Sequence, residues 1–226
     1  MRVLVIADDI WHPAEVVRLG LAGFPDPDVT FDIICTAKDI LTEDVLSSYP
    51  VVMIAKGDCI NAANSAPWFE DGVNEVGPGE LRRYVEAGGH LLIVHAGCDV
   101  NPEWLPKEEK FRRPCREYIR LIGCHFVDHP PRCKVNIAIK DKNHPITAGV
   151  RDFTVSDEHY QIDVTAEDAH VLFETVSDTG GRQIGGYIRT VGAGKIVLFT
   201  PGHTLSVWKD PDFRRLLSQA LHTLCP

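Results

Sequence analysis

The stretch Gly88-Gly89-His90-Leu91-Leu92-Ile93-Val94-His95-Ala96-Gly97-Cys98-Asp99-Val100 decides the fold. It passes from a glycine stop through four consecutive apolar residues to a histidine and then two small residues. An apolar run without alternation is the pattern of a strand buried on both faces, as in a parallel sheet. Ala96 and Gly97 permit a sharp strand-to-helix turn, so His95 is expected on an elbow. There a side chain stands exposed at the sheet's edge with backbone N–H groups nearby, an arrangement used for nucleophiles and oxyanion holes.

Working outward, similar runs occur at Val3 to Ala7, Phe31 to Cys35, Val51 to Ala55 and Ile196 to Phe199. Amphipathic segments separate them: Ala14 to Ala22, Glu43 to Ser48, Gly79 to Ala87 and Asp210 to Leu224. Strands alternating with helices predict right-handed βαβ units and a mainly parallel sheet covered on both sides. Pro13, Gly88-Gly89 and Asp210-Pro211 punctuate the helices in register with this reading. Residues 98 to 116, rich in Pro, Glu, Lys and Arg, read as a loop excursion. Cys133 to Ile139, His170 to Val176 and Gln183 to Ile188 read as a mixed or antiparallel extension of the sheet. With 226 residues and no repeat or linker, a single domain over 1–226 is expected.

A formal charge of -9 argues against a nucleic-acid partner, which would need clustered Lys and Arg. Arg112, Arg113 and Arg116 lie beside Glu108, Glu109 and Glu117, the pattern of a mixed, solvated helix face. Seven cysteines without a CxxC pair imply a reducing compartment rather than a disulfide framework. The N-terminal apolar run stops at Asp8, and no stretch approaches the roughly 18 residues a membrane crossing needs. A cytoplasmic protein with no membrane partner is expected. No heptad or apolar patch names an interface, which leaves a homo-oligomer open.

In open parallel sheets the ligand crevice lies beyond the carboxyl ends of the strands. That rule selects Asp8, Asp9, Lys56, Asp58, His95, Asp99 and His203. His203 ends the run from Gly192 through Ile196 to Phe199 and on to Pro201-Gly202-His203, so two histidines share the crevice. The Gly192-Ala193-Gly194-Lys195 stretch lacks the spacing and the Ser or Thr of a phosphate loop and reads as a hairpin turn, so no nucleotide cofactor is indicated. Three further clusters hold His125, His129, His144, Asp157, Glu158 and His159. Carboxylates with nearby imidazoles suit general acid/base chemistry or a divalent metal. His125 and His144 read as structural, and His159 and His170 as surface residues.

The ordered motifs carry a resemblance. His95-Ala96-Gly97 after a strand, His129-Pro130, Asp141-Lys142-Asn143-His144-Pro145-Ile146-Thr147-Ala148-Gly149, Asp157-Glu158-His159-Tyr160, Pro201-Gly202-His203 and an Asp210-Pro211 helix start follow the order of the ThuA-like family. The match is close from about Gly88 onward and looser before it, through the first strand and His12-Pro13-Ala14-Glu15. The resemblance implies a flavodoxin-like three-layer α/β fold similar to class I glutamine amidotransferases, with His95 where their elbow carries a cysteine. Imidazole in place of thiolate removes the thioester route, so glutaminase activity is not expected. It also implies a role in the utilisation of trehalose-type disaccharides, through pathways that pass 3-keto sugars.

The expected activity is therefore that of a carbohydrate-metabolism enzyme acting on a sugar or keto sugar. His95 and His203 are expected as bases or ligands of a Zn²⁺-like divalent metal, Glu158 as acid/base and Asp157 as its companion. His129, His12, Asp99 and Trp208 are expected on the substrate. A row of exposed aromatics (Trp68, Phe69, Trp104, Trp208) is expected around the mouth, where they could stack on a sugar ring. A shared metal requires the His95 and His203 rings to lie within about 10 Å of each other, since Zn–N bonds measure about 2.0 to 2.1 Å. Two alternatives stand beside this: a non-catalytic sugar-binding or assembly module, and a hydrolase using Cys98 as nucleophile.

Overall fold

The computed structural model describes residues 1–57, 68–70, 72–103 and 105–225; Asp58, Cys59 and Trp104 lie outside them. The chain begins with β1 (Arg2–Ala7), α1 (Ala14–Leu21), β2 (Thr30–Ile34), α2 (Ala37–Ile40), α3 (Glu43–Ser47), β3 (Val51–Ala55), α4 (Pro78–Glu86) and β4 (His90–Val94). A single 3₁₀ turn, His95–Cys98, follows β4 directly. Next come α5 (Glu109–Ile122), β5 (Cys124–Asp128), β6 (Cys133–Ile139), β7 (Phe153–Asp157), β8 (Gln161–Val164), β9 (His170–Ser177), β10 (Gly181–Val191) and β11 (Gly194–Phe199). Helices α6 (Leu205–Lys209) and α7 (Pro211–Leu224) close the chain.

A nine-stranded sheet runs in the order β2-β1-β3-β4-β11-β10-β9-β6-β7. The half from β2 to β11 is parallel, and each remaining strand pairs antiparallel with its neighbour. The expected hairpin at Gly192-Ala193 joins β10 to β11. β5 and β8 form a separate antiparallel ribbon.

Because successive side chains of a strand face opposite ways, the fully apolar runs feed two cores at once. From β1, Val3, Val5 and Ala7 join a core with Val17, Leu21, Phe213 and Leu217, while Leu4 and Ile6 join one with Leu81, Val85, Tyr118 and Ile122. α7 is capped as the sequence predicts, the Asp210 carboxylate accepting the N–H of Asp212 and Phe213 at 2.9 and 3.1 Å.

The excursion expected over 98 to 116 is shorter than that reading. Its last part, from Glu109, is the first half of the fourteen-residue α5, which continues through Pro114 and ends at left-handed Gly123. Cys115, Tyr118, Ile119 and Ile122 supply the buried stripe that outweighs the proline's missing N–H.

Candidate metal centre

A sharp turn does follow β4, but the His95 side chain expected to stand exposed on it is buried, and its backbone is unusual. His95 has φ +47°, a left-handed conformation that costs a residue with a β-carbon about 1 kcal/mol or more. Close packing holds it there. A Cβ on Gly97 would stand 2.2 Å from the Ile54 carbonyl oxygen, and one on Gly202 would stand 2.9 Å from His95 Cβ. His95 is 2% exposed, and its Nδ1–H donates to the Thr200 carbonyl at 2.7 Å. That bond leaves Nε2 with its lone pair free. Burial pushes the imidazole down to about 4, so it is neutral at physiological pH.

His12 reaches the same place from the loop after β1. The Asp9 carboxylate accepts the N–H of Trp11, His12 and Gly57 at 2.8, 2.9 and 2.7 Å, and His12 Nδ1 at 2.9 Å. His12 Nε2 therefore faces inward and meets the Tyr160 hydroxyl at 3.2 Å. Burial acts to lower the His12 pKa, but the Asp9 carboxylate outweighs it and the net shift is upward.

Glu158 comes from the far edge of the sheet. Although β10, β9 and β6 intervene, the end of β7 docks onto the loop after β11. Asp157, fully buried, accepts the N–H of Gly202, His203 and Thr204 at 2.7, 3.0 and 3.2 Å. Burial pushes Asp157 up to about 7 in spite of these three donors. The next residue, Glu158, places Oε2 at 3.6 Å from His95 Nε2, 3.7 Å from His129 Nε2 and 3.0 Å from His203 Nδ1. Burial alone would raise Glu158; His203 and His95 hold it well below the usual carboxylate range.

His12, His95, Glu158 and His203 each offer a ligand atom, all within 4.8 Å of one another. The His95 and His203 ring centroids are 5.4 Å apart, inside the limit a shared ion requires. His95 Nε2 is buried and makes no hydrogen bond, and it faces the same carboxylate oxygen that His203 Nδ1 approaches. His12 and His95 each donate Nδ1–H to an oxygen behind them, the support that metal-binding histidines usually have. The set fits a borderline divalent ion such as Zn²⁺. His203 differs in its support: its Nε2 lies 2.9 Å from an Arg132 guanidinium nitrogen, which can only donate.

An open cleft of about 560 Å³ leads to the cluster, lined by Trp11, His12, Asp99, Phe126, His129, Arg132, Glu158, Tyr160 and His203. Asp99 in its wall is pushed by burial up to about 6.

The family profile described as "ThuA: Trehalose utilisation" matches residues 15–222. The chain belongs to the ThuA family. A search of curated proteins found no match. Among solved structures, the ThuA chain is similar to a ThuA-like protein from Parabacteroides merdae, with TM-score 0.70, 16% identity, and coverage of 99% of this chain and 88% of that one. A cytoplasmic protein from Salmonella typhimurium aligns at TM-score 0.67 and 16% identity over 99% of both chains. A β-galactosidase from Rahnella sp. R3 aligns at TM-score 0.61 and 16% identity, over 97% of this chain but 31% of that one. At these identities the likeness is one of fold.

Of the residues expected from the ThuA sequence, His95, His203, Glu158, His12, His129 and Asp99 come together at the cleft. Asp157 is adjacent but turned away, with its carboxylate spent on backbone donors. Trp208 is a correction: it is 1% exposed and its Nε1–H donates to the Gly202 carbonyl at 2.7 Å, so it braces the His203 loop from behind and offers no face to a sugar. Trp68 and Phe69 are likewise core residues, 2% and 4% exposed. Cys98 is corrected as a nucleophile: it is fully buried, its Sγ–H donates to the His95 carbonyl at 3.1 Å, and Cys124 and burial push its thiol far up. His159, expected at the surface, is 1% exposed between Ser177 and Thr175 at 2.6 and 3.1 Å.

Sequence reading missed Tyr160, Arg132 and Trp11. Tyr160 closes the Asp157-Glu158-His159-Tyr160 block. Its ring packs on His95 at 3.9 Å and on His129 at 5.6 Å. Arg132 and Trp11 carried no signal beyond proximity to His129 and His12.

Proposed function

We propose that this ThuA-family protein is an enzyme acting on a sugar or keto sugar of the trehalose-type disaccharide class, with a divalent metal held by His12, His95, Glu158 and His203. One observation carries the reading: the buried lone pair of His95 Nε2 has no hydrogen-bond partner and faces, at 3.6 Å, the same Glu158 oxygen that His203 Nδ1 approaches at 3.0 Å. Leaving a buried polar atom unsatisfied costs about 1–3 kcal/mol, a cost that a bound cation removes. When bound, such an ion supplies Lewis acidity towards a sugar hydroxyl or carbonyl oxygen.

The chain's own groups supply the rest. The Nδ1–H bonds of His12 and His95 fix their tautomers and aim both Nε2 atoms inward. Asp99, with a pKa near 6 in the cleft wall, exchanges a proton with substrate close to neutral pH. His129 and Arg132 contact substrate oxygens from the rim, and the Tyr160 ring keeps water from the His95 side. The strand order β2-β1-β3-β4-β11 supports a flavodoxin-like, amidotransferase-like reading of the parallel half. One continuous nine-stranded sheet supports a single domain over 1–226. The six described cysteines are free thiols, which supports a reducing, cytoplasmic setting; no helix among the described residues is long and apolar enough to cross a membrane.

The test is metal analysis of the purified protein, then NMR of trehalose and 3-keto disaccharides incubated with it. About one equivalent of a transition metal, lost in Glu158→Gln and His95→Ala together with turnover, is expected. Turnover that survives both substitutions overturns the proposal.

A further inference from the structure

Trp11 is the largest exposed apolar side chain among the described residues at the cleft, 60% exposed where Trp68 and Trp208 are almost wholly covered. An indole left open to water forgoes the burial that usually makes tryptophan worth its size. It is not there by looseness of the chain. Its backbone N–H is held at 2.8 Å by Asp9 Oδ1, and the same oxygen receives His12 Nδ1 at 2.9 Å. One carboxylate thus fixes a ring of the buried cluster and the backbone that carries the exposed indole. A short, hydrogen-bonded turn therefore holds the Trp11 backbone beside the cluster.

Polar groups surround Trp11 in the cleft. Phe126, the other purely apolar ring there, is 4% exposed, and Asp99, His129, Arg132 and Glu158 supply donors and acceptors. One broad aromatic face among many hydrogen-bonding groups matches a pyranose, whose axial C–H face is apolar and whose rim carries hydroxyls.

Resting on the reading of the cluster as a sugar-processing site, we infer that Trp11 is the stacking platform for a pyranose ring and fixes which ring of the substrate faces the metal cluster. The structure assigns this role to Trp11 in place of the aromatics buried in the core.

The test is saturation-transfer difference NMR on the full chain with trehalose, maltose, sucrose, cellobiose and lactose. Ring-proton signals are expected from at least one of them, at least tenfold weaker in binding for Trp11→Ala and largely restored in Trp11→Phe. Zn²⁺ affinity, measured on the same variants, is expected to be unchanged, which separates the two proposals. Saccharide binding through Trp11 without metal uptake would defeat the metal reading and leave the platform standing. The platform is overturned if no saccharide binds, or if binding is the same in Trp11→Ala. It is also overturned if that variant alters only the oligomeric state by light scattering, which would make Trp11, with the 45% exposed Ile10 beside it, a contact between copies.

Discussion

The Arg132 guanidinium lies 2.9 Å from His203 Nε2. Because guanidinium only donates, Nε2 accepts, and the hydrogen of a neutral His203 sits on Nδ1, which faces Glu158 Oε2 at 3.0 Å. An ion bound through Nδ1 must displace that hydrogen and overcome the positive charge of Arg132. Arg132→Gln, whose amide oxygen can accept an Nε2–H, is expected to tighten Zn²⁺ binding about tenfold, the scale of other changes behind a ligand. Competition with a chromophoric chelator measures it; unchanged or weaker binding would show that the pair does not control His203.

Asp157→Asn probes the junction of the two sheet halves. An amide turns an N–H₂ towards part of a nest of three backbone donors, from Gly202, His203 and Thr204. A loss of about 1–3 kcal/mol in urea denaturation is expected, with weaker Zn²⁺ binding, since Glu158 and His203 are held by this contact.

Asp99 gives a pH signature in metal-free protein. Its pKa rises from the ordinary carboxylate value to about 6 because of burial, so the folded state holds its proton more tightly than the unfolded chain. The stabilisation from the protonated carboxyl is complete below about pH 4 and lost as pH rises through 6. Asp99→Asn is expected to be more stable than the natural protein at pH 7 to 8, by about 3 kcal/mol, with the gap closing below about pH 4. Urea midpoints across pH 4 to 8 measure it; a gap that does not vary with pH would refute the assignment.

Gly97→Ala tests the elbow. The added Cβ would meet the Ile54 carbonyl oxygen at 2.2 Å, so β3 or the elbow must move. A loss of more than about 3 kcal/mol in stability is expected from urea denaturation, far above the effect of a typical surface change.

The parallel half was legible because β1, β3, β4 and β11 are buried on both faces and announce themselves as unbroken apolar runs, whereas the edge strand β2 is only half-buried. The strand-end rule found His95 and His203 for the same reason. Glu158 came from a motif, and His12 only from family likeness, because nothing local in Asp8 to Pro13 shows that its ring turns inward. Tyr160 and Arg132 depend on the antiparallel half folding back over the crevice, a relation between segments far apart in the chain. In α5 the apolar positions Cys115, Tyr118, Ile119 and Ile122 have helical spacing, but Pro114 and the surrounding charges masked it. Trp68, Phe69 and Trp208 show the opposite failure: an aromatic near a strand end looks the same in sequence whether a loop covers it or leaves it bare.

The fold-back fastened by Asp157 has a consequence for assembly of the molecule. Three members of the cluster, His12, His95 and His203, hang from the parallel half, and Glu158 arrives on the strand at the opposite margin. A chain with only one half in place owns no complete set of ligands. Ion uptake would therefore report that both halves have closed on each other, and by mass action each bound ion would favour the closed state, a clasp that shuts last.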